Sequence, residues 1–116
     1  MSFKNINMST RIKIGTLNVN GLKCKAKRDR IFELLKLKEL DFVYIQESHC
    51  TSNNERLTWE REWGSKIFCS FGSARSKGVC ILFAAKFKNQ KVDMRYYDQE
   101  GRYIVLYVMI AAYSIG

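Results

Sequence analysis

Proline is absent from this sequence, and nothing functional follows from that. Other absences exclude more. The four cysteines, Cys24, Cys50, Cys69 and Cys80, form no C-x-x-C pair and no spacing short enough for a zinc knuckle. No secretory signal peptide opens the chain. The thiols are therefore expected to be free in a reducing compartment, nuclear or cytoplasmic. Cys80 lies inside a strand pattern and reads as a small core residue. The longest apolar run, Tyr103 to Tyr113, is too short to span a bilayer. No basic helix carries a Trp-rich apolar face opposite its charge, which argues against a membrane partner. Internal repeats and linkers are lacking too.

Acidic residues are scarce. Eleven Asp and Glu stand against 20 Lys and Arg, a net charge of +9 and a pI near 9.6. On a small domain this is the electrostatic footprint of a polyanion binder. A solvated basic surface with no partner is the alternative. The 116 residues suffice for one small domain with a core. Residues 1–10 are polar and aperiodic and are expected to be a flexible N-terminus, with the domain running over 11–116.

The pattern over 11–19 predicts a strand, and Asn20-Gly21 a turn. Residues 27–40 predict a helix. Ile31, Leu34 and Leu35 form its apolar stripe, broadened by Phe32 and Leu37, and Lys27, Arg28, Arg30, Lys36 and Lys38 form its polar face. The apolar run 42–46 fits a strand covered on both faces. Strand, helix, strand at this spacing is a crossover unit with parallel strands. Thr51 to Asn54 carries helix-start chemistry, with a short helix over 55–63. Trp59 and Trp63 on it read as packing residues. Strands are then expected over 66–71, 78–83, 92–97 and 102–110, as an antiparallel meander. The class is α/β.

The chemistry gathers at two strand ends. The first reads Thr16-Leu17-Asn18-Val19-Asn20-Gly21-Leu22, the second Ile45-Gln46-Glu47-Ser48-His49. A carboxylate and two carboxamides thus meet at the carboxyl ends of neighbouring strands, where open α/β sheets gather ligands. One carboxylate among neutral oxygens suits a hard divalent cation. Lys23, Lys25, Lys27 and Arg28 follow the asparagine motif, and Arg75 and Lys77 precede a later strand. Each is a candidate phosphate contact beside its reading as a solvated surface. His49, two residues past Glu47, is a further candidate for a phosphate.

These two motifs, in this order and spacing, resemble the endonuclease/exonuclease/phosphatase superfamily, which includes apurinic/apyrimidinic endonucleases, exodeoxyribonuclease III and DNase I. The likeness is closer to the endonuclease domains of LINE-type retrotransposon proteins. Lys77-Gly78-Val79-Cys80-Ile81-Leu82 and Glu100-Gly101-Arg102-Tyr103-Ile104 add to it. The resemblance implies the N-terminal half of a DNase I-like, four-layered αββα sandwich. It implies phosphodiester hydrolysis in DNA with Mg2+ or Mn2+, by a monomer followed by a reverse transcriptase domain in a longer protein. Glu47 would be the metal ligand and Asn18 would sit at the scissile phosphate. Asn20 falls where many relatives carry an aspartate that supports the metal; the oxygen is kept and the charge lost.

Relatives also use a tyrosine, a Gly-Asp-x-Asn segment and a late Asp-His pair to activate water. The sequence is expected to end before all of these, and the outward face of its last apolar strand to lack cover. The expectation is a fragment, inactive alone. The alternatives are a non-enzymatic basic nucleic-acid-binding remnant, or a phosphoesterase acting on phosphoinositides or small phosphoesters.

Overall fold

A computed structural model describes residues 11–110. The N-terminal segment 1–10 and residues 111–116, with the end of the long apolar run, lie outside the described residues.

Strand β1 (Ile14–Asn18) leads into helix α1 (Lys25–Leu37) and returns as β2 (Phe42–Gln46). The two strands pair in parallel, from Ile14 opposite Phe42 to Asn18 opposite Gln46. Helix α1 starts two residues earlier and ends three residues sooner than its pattern predicts. Its first residue follows Cys24, whose side chain makes no capping bond, so no cap residue marks the start. Glu39 adopts a left-handed φ of 55°, which ends the helix. Leu40 then packs against Gly15, where a Cβ would lie 2.7 Å from its Cδ1.

The buried face of α1 also differs from expectation. Arg28, Phe32 and Leu35 point inward, at i, i+4 and i+7. Leu34 and Leu37 are exposed, Leu37 by 76%. The reason is the second helix, α2 (Asn53–Trp63). Phe32 meets Trp63 edge-on at 5.3 Å between centroids, and the Arg28 guanidinium stacks 5.4 Å from Trp59. Two tryptophans bury more apolar area than two leucines, and they set the rotation of α1. Helix α2 is capped as its sequence predicts: Ser52 Oγ accepts from Glu55 N at 3.2 Å.

Strands β3 (Ile67–Ser70) and β4 (Val79–Phe83) pair antiparallel, and β4 also pairs antiparallel with β2. The sheet order is β1-β2-β4-β3. The expected continuous meander is thus corrected. Both edges of β4 are occupied, so β5 (Val92–Tyr97) cannot pair with the strand that precedes it. A single 3-10 turn, Ala85–Phe87, turns the chain off the sheet, with Phe87 stacked on Phe42 at 4.9 Å. Strand β5 pairs instead with β6 (Ile104–Val108) in a separate two-stranded sheet.

Alternation along the strands builds two cores. One face of the four-stranded sheet sends Val43, Ile45, Ile67 and Leu82 against the two helices. The other sends Tyr44, Phe68, Ile81 and Phe83 against Ile104, Leu106 and Val108 of the hairpin. The layers are therefore helices, sheet, hairpin. Cys50, Cys69 and Cys80 are buried in the helix-side core, all as free thiols, with Cys69 and Cys80 in contact at 2.6 Å. Burial pushes the Cys69 and Cys80 thiols up, so both stay protonated. Among the described residues no helix is long and apolar enough to cross a membrane.

Candidate functional site

The parallel pairing of β1 and β2 brings Asn18 beside Gln46 and places Glu47 one residue beyond. Past the strand ends the chains stay tied. Val19 N donates to Gln46 O at 3.1 Å, Gly21 N to Glu47 O at 2.6 Å, and Leu22 N to Ser48 O at 3.0 Å. The asparagine turn is held internally by Asn20 N donating to Asn18 Oδ1 at 3.2 Å, an Asx-turn. That bond uses the Asn18 oxygen, and among the described residues no acceptor reaches its Nδ2 hydrogens.

A cavity of about 370 Å³ opens at these ends, lined among others by Asn18, Tyr44, Glu47, Lys77 and Arg102. The Glu47 side chain is 39% exposed. Its Oε1 accepts from the Lys77 backbone N–H at 3.2 Å and meets His49 Nε2 at 3.2 Å. Loop and hairpin are locked together here. Gly78 N donates to Gly101 O at 2.8 Å, and Ser48 N to Gly78 O at 2.8 Å. Gly101 must be glycine: its φ is +74°, and a Cβ would lie 2.6 Å from Phe71 O. This junction carries Arg102 to the cavity.

Arg102 is a residue the motif reading did not single out. Its Nε and Nη2 donate to Asp98 Oδ2 and Oδ1 at 2.8 and 3.2 Å, a two-point fork. The guanidinium holds the Asp98 carboxyl down to about 2. The sequence signal was a basic residue directly after a turn glycine, in a segment that added to the resemblance without being given a site role.

The basic cluster is largely spoken for. Lys23 Nζ pairs with Glu55 at 2.7 Å, and Lys25 Nζ with Asp29 at 3.0 Å. Lys27 Nζ donates to Val19 O at 2.6 Å and Asn20 O at 3.1 Å, clamping the asparagine turn from behind. Arg75 and Lys77 are exposed on the β3–β4 loop, and of the two Lys77 lines the cavity.

Two expectations are corrected. Arg28 is buried, donates to Leu22 O at 2.8 Å, and forks onto Glu62 at 2.6 and 3.0 Å, so its guanidinium has no face for a phosphate. His49 is buried to 7% exposure beneath Gly21, and its ring meets Glu47 instead of solvent. Asn20 is exposed but is not among the residues lining the cavity.

The donor set for a metal is thus one carboxylate with one oxygen already engaged. That suits a hydrated Mg2+, which takes one or two carboxylates and keeps several waters. Among the described residues no group of three or more His, Cys, Asp or Glu is placed to enclose an ion.

No family model matches the chain. Over 77 residues, 66% of its length, it is 29% identical to the transposon TX1 uncharacterized 149 kDa protein of Xenopus laevis. The matched stretch covers 6% of that protein, so the chain spans a small part of the relative it resembles.

Proposed function

We propose that this chain is the metal- and phosphate-binding part of a divalent-metal-dependent DNA endonuclease encoded by a LINE-type retrotransposon. The observation that carries the reading is one cavity at two parallel strand ends, lined by Glu47, Asn18, Lys77 and Arg102. Likeness to a transposon-encoded protein supports the origin. A net charge of +9 supports a polyanionic substrate.

The roles follow from the free atoms. Asn18 Nδ2 donates to a non-bridging phosphate oxygen while its Oδ1 stays in the turn. Lys77 and Arg102 neutralise the flanking backbone charge. Glu47 holds a hydrated Mg2+ or Mn2+ through its unengaged oxygen. A divalent ion there would supply charge stabilisation for the phosphoryl and leaving oxygens. The one histidine is buried against Glu47, and among the described residues that line the cavity none offers an imidazole to take a proton from attacking water. Binding and chemistry are therefore separable in this chain.

The test is fluorescence anisotropy of a labelled duplex. Mg2+ tightens binding by the wild-type chain, and Glu47→Gln removes that increment while leaving the circular dichroism unchanged. Binding that falls steeply with salt and never responds to Mg2+ would favour a non-enzymatic basic module. Mg2+-dependent nicking of supercoiled plasmid by the 116 residues alone would overturn the division between binding and chemistry.

A further inference from the structure

The two oxygens of Glu47 are not equivalent. Oε1 has two partners, His49 Nε2 and the Lys77 N–H, each at 3.2 Å. Among the described residues no donor reaches Oε2. An ionised carboxylate only accepts, so the imidazole must carry its proton on Nε2.

The ring is built into place. A Cβ at Gly21 would lie 2.6 Å from His49 Nδ1 and 3.2 Å from Cε1, so the backbone at 21 lies directly against the imidazole. His49 N donates to Lys77 O at 3.0 Å, tying the same loop that supplies the second donor. Glu47, His49 and Lys77 all adopt left-handed backbone, with φ of 56°, 60° and 63°. Three non-glycine residues in that sparsely populated region converge on one carboxylate oxygen. Such strain persists only where the surroundings over-determine it.

We propose that His49 is a positioning residue for Glu47: with the Lys77 amide it occupies Oε1 and leaves Oε2 alone to face the cavity and bind the divalent cation. The proposal rests on the reading of Glu47 as the metal ligand. A partner that fixes the orientation of a ligating group belongs to the design of a metal site as much as the ligand does. The buried ring does not touch DNA.

The chain has one histidine, so its ring signals need no assignment by mutation. In metal-free protein, the His49 Nε2–H proton should give a resonance slow enough in exchange to be seen in water. It should vanish in Glu47→Ala. Mn2+ affinity, read from the electron paramagnetic resonance of the free ion, should be lost in Glu47→Gln. It should fall about 10-fold or more in His49→Ala, the range for loss of an orienting partner. His49→Gln, which keeps an N–H donor at similar reach, should recover most of that loss. Gly21→Ala, which drives a methyl into the ring, should reproduce His49→Ala.

Wild-type Mn2+ affinity equal to that of Glu47→Gln would overturn the metal reading and this proposal together. Intact Mn2+ affinity in His49→Ala would overturn the proposal alone, as would a His49→Gln no better than His49→Ala. If His49→Ala does not fold, the Nε2–H resonance and the His49→Gln comparison decide. Weakened metal-free duplex binding in His49→Gln, matching that of Lys77→Ala, would return the ring to a phosphate contact.

Discussion

The helix-backed sheet and the β5–β6 hairpin each hold one arginine in a two-point fork with a carboxylate. Arg28 grips Glu62 between the helices, and Arg102 grips Asp98 in the turn of the hairpin. The bond lengths are alike. The difference is exposure: the Arg28 side chain is 7% exposed and that of Arg102 60%. The first fork is enclosed by Trp59 and by the Leu22 and Lys23 carbonyls, and it closes a structure. The second is exposed, on a residue that lines the cavity of Glu47. A pairing that consumes one arginine pre-orients the other. The same contrast runs through the two regions. The sheet is covered by helices on one face and by the hairpin on the other. The hairpin buries its inner face and exposes Met94, Tyr96, Val105 and Tyr107 on its outer one.

The largest effect should separate these regions by stability. Ile45 is fully buried in β2. Ile45→Ala should cost about 4 kcal/mol in urea unfolding, from lost transfer energy and the cavity left behind. Tyr107→Ala, on the exposed face of β6, should cost about 1 kcal/mol or less, the size of its cross-strand contact with Tyr96. Equal losses would mean that something covers the outer face of the hairpin in solution.

The next effect is on acid stability. The Arg28 fork is the largest influence on Glu62 and holds its carboxyl below the usual 4.5, with burial opposing. A depressed folded-state value contributes stability that is complete above 4.5 and is lost as pH falls through the folded value. Glu62→Gln should lower stability by about 2 kcal/mol at neutral pH, the scale of a hydrogen bond to a charged group. It should also flatten the fall in stability below pH 4.5. An unchanged acid slope in urea titrations across that window would show that Arg28 is satisfied by the Leu22 and Lys23 carbonyls alone.

The contrast between the forks also marks what could be read from the chain. The crossover unit was legible because β1 and β2 carry strong strand patterns and the helix between them a clear period. Asn18 and Glu47 were legible because strand ends gather ligands, and both line the cavity. The sheet order was not, because it depends on β4 having both edges filled, which no local pattern encodes. Arg28 was singled out and Arg102 was not, yet Arg28 is buried in its fork and Arg102 is exposed on a residue lining the cavity. Charge density drew attention to the run from Lys23 to Arg30, yet most of those cations meet partners 4 to 34 residues away. A sequence records the charge of a side chain, not the carboxylate or carbonyl that consumes it. His49 was misread for a related reason: its neighbour across the turn, Gly21, is 28 positions away and leaves no mark beside it.

The smallest effect is the sharpest test of the hairpin fork. Arg102 is exposed and, among the described residues, its guanidinium pairs with Asp98 and Glu100, so Arg102→Ala should leave unfolding within about 0.5 kcal/mol of wild type, as surface changes do. Duplex affinity should fall uniformly across sequences, and the slope of log affinity against log salt should drop by about one, the signature of a single lost phosphate contact. Asp98→Asn separates charge from orientation. It keeps the Arg102 charge but loosens the fork, so it should leave the salt slope near that of wild type while weakening affinity. If Asp98→Asn instead strengthens duplex binding, Asp98 acts chiefly as a competing anion, and the hairpin arginine is restrained by its fork instead of being aimed by it.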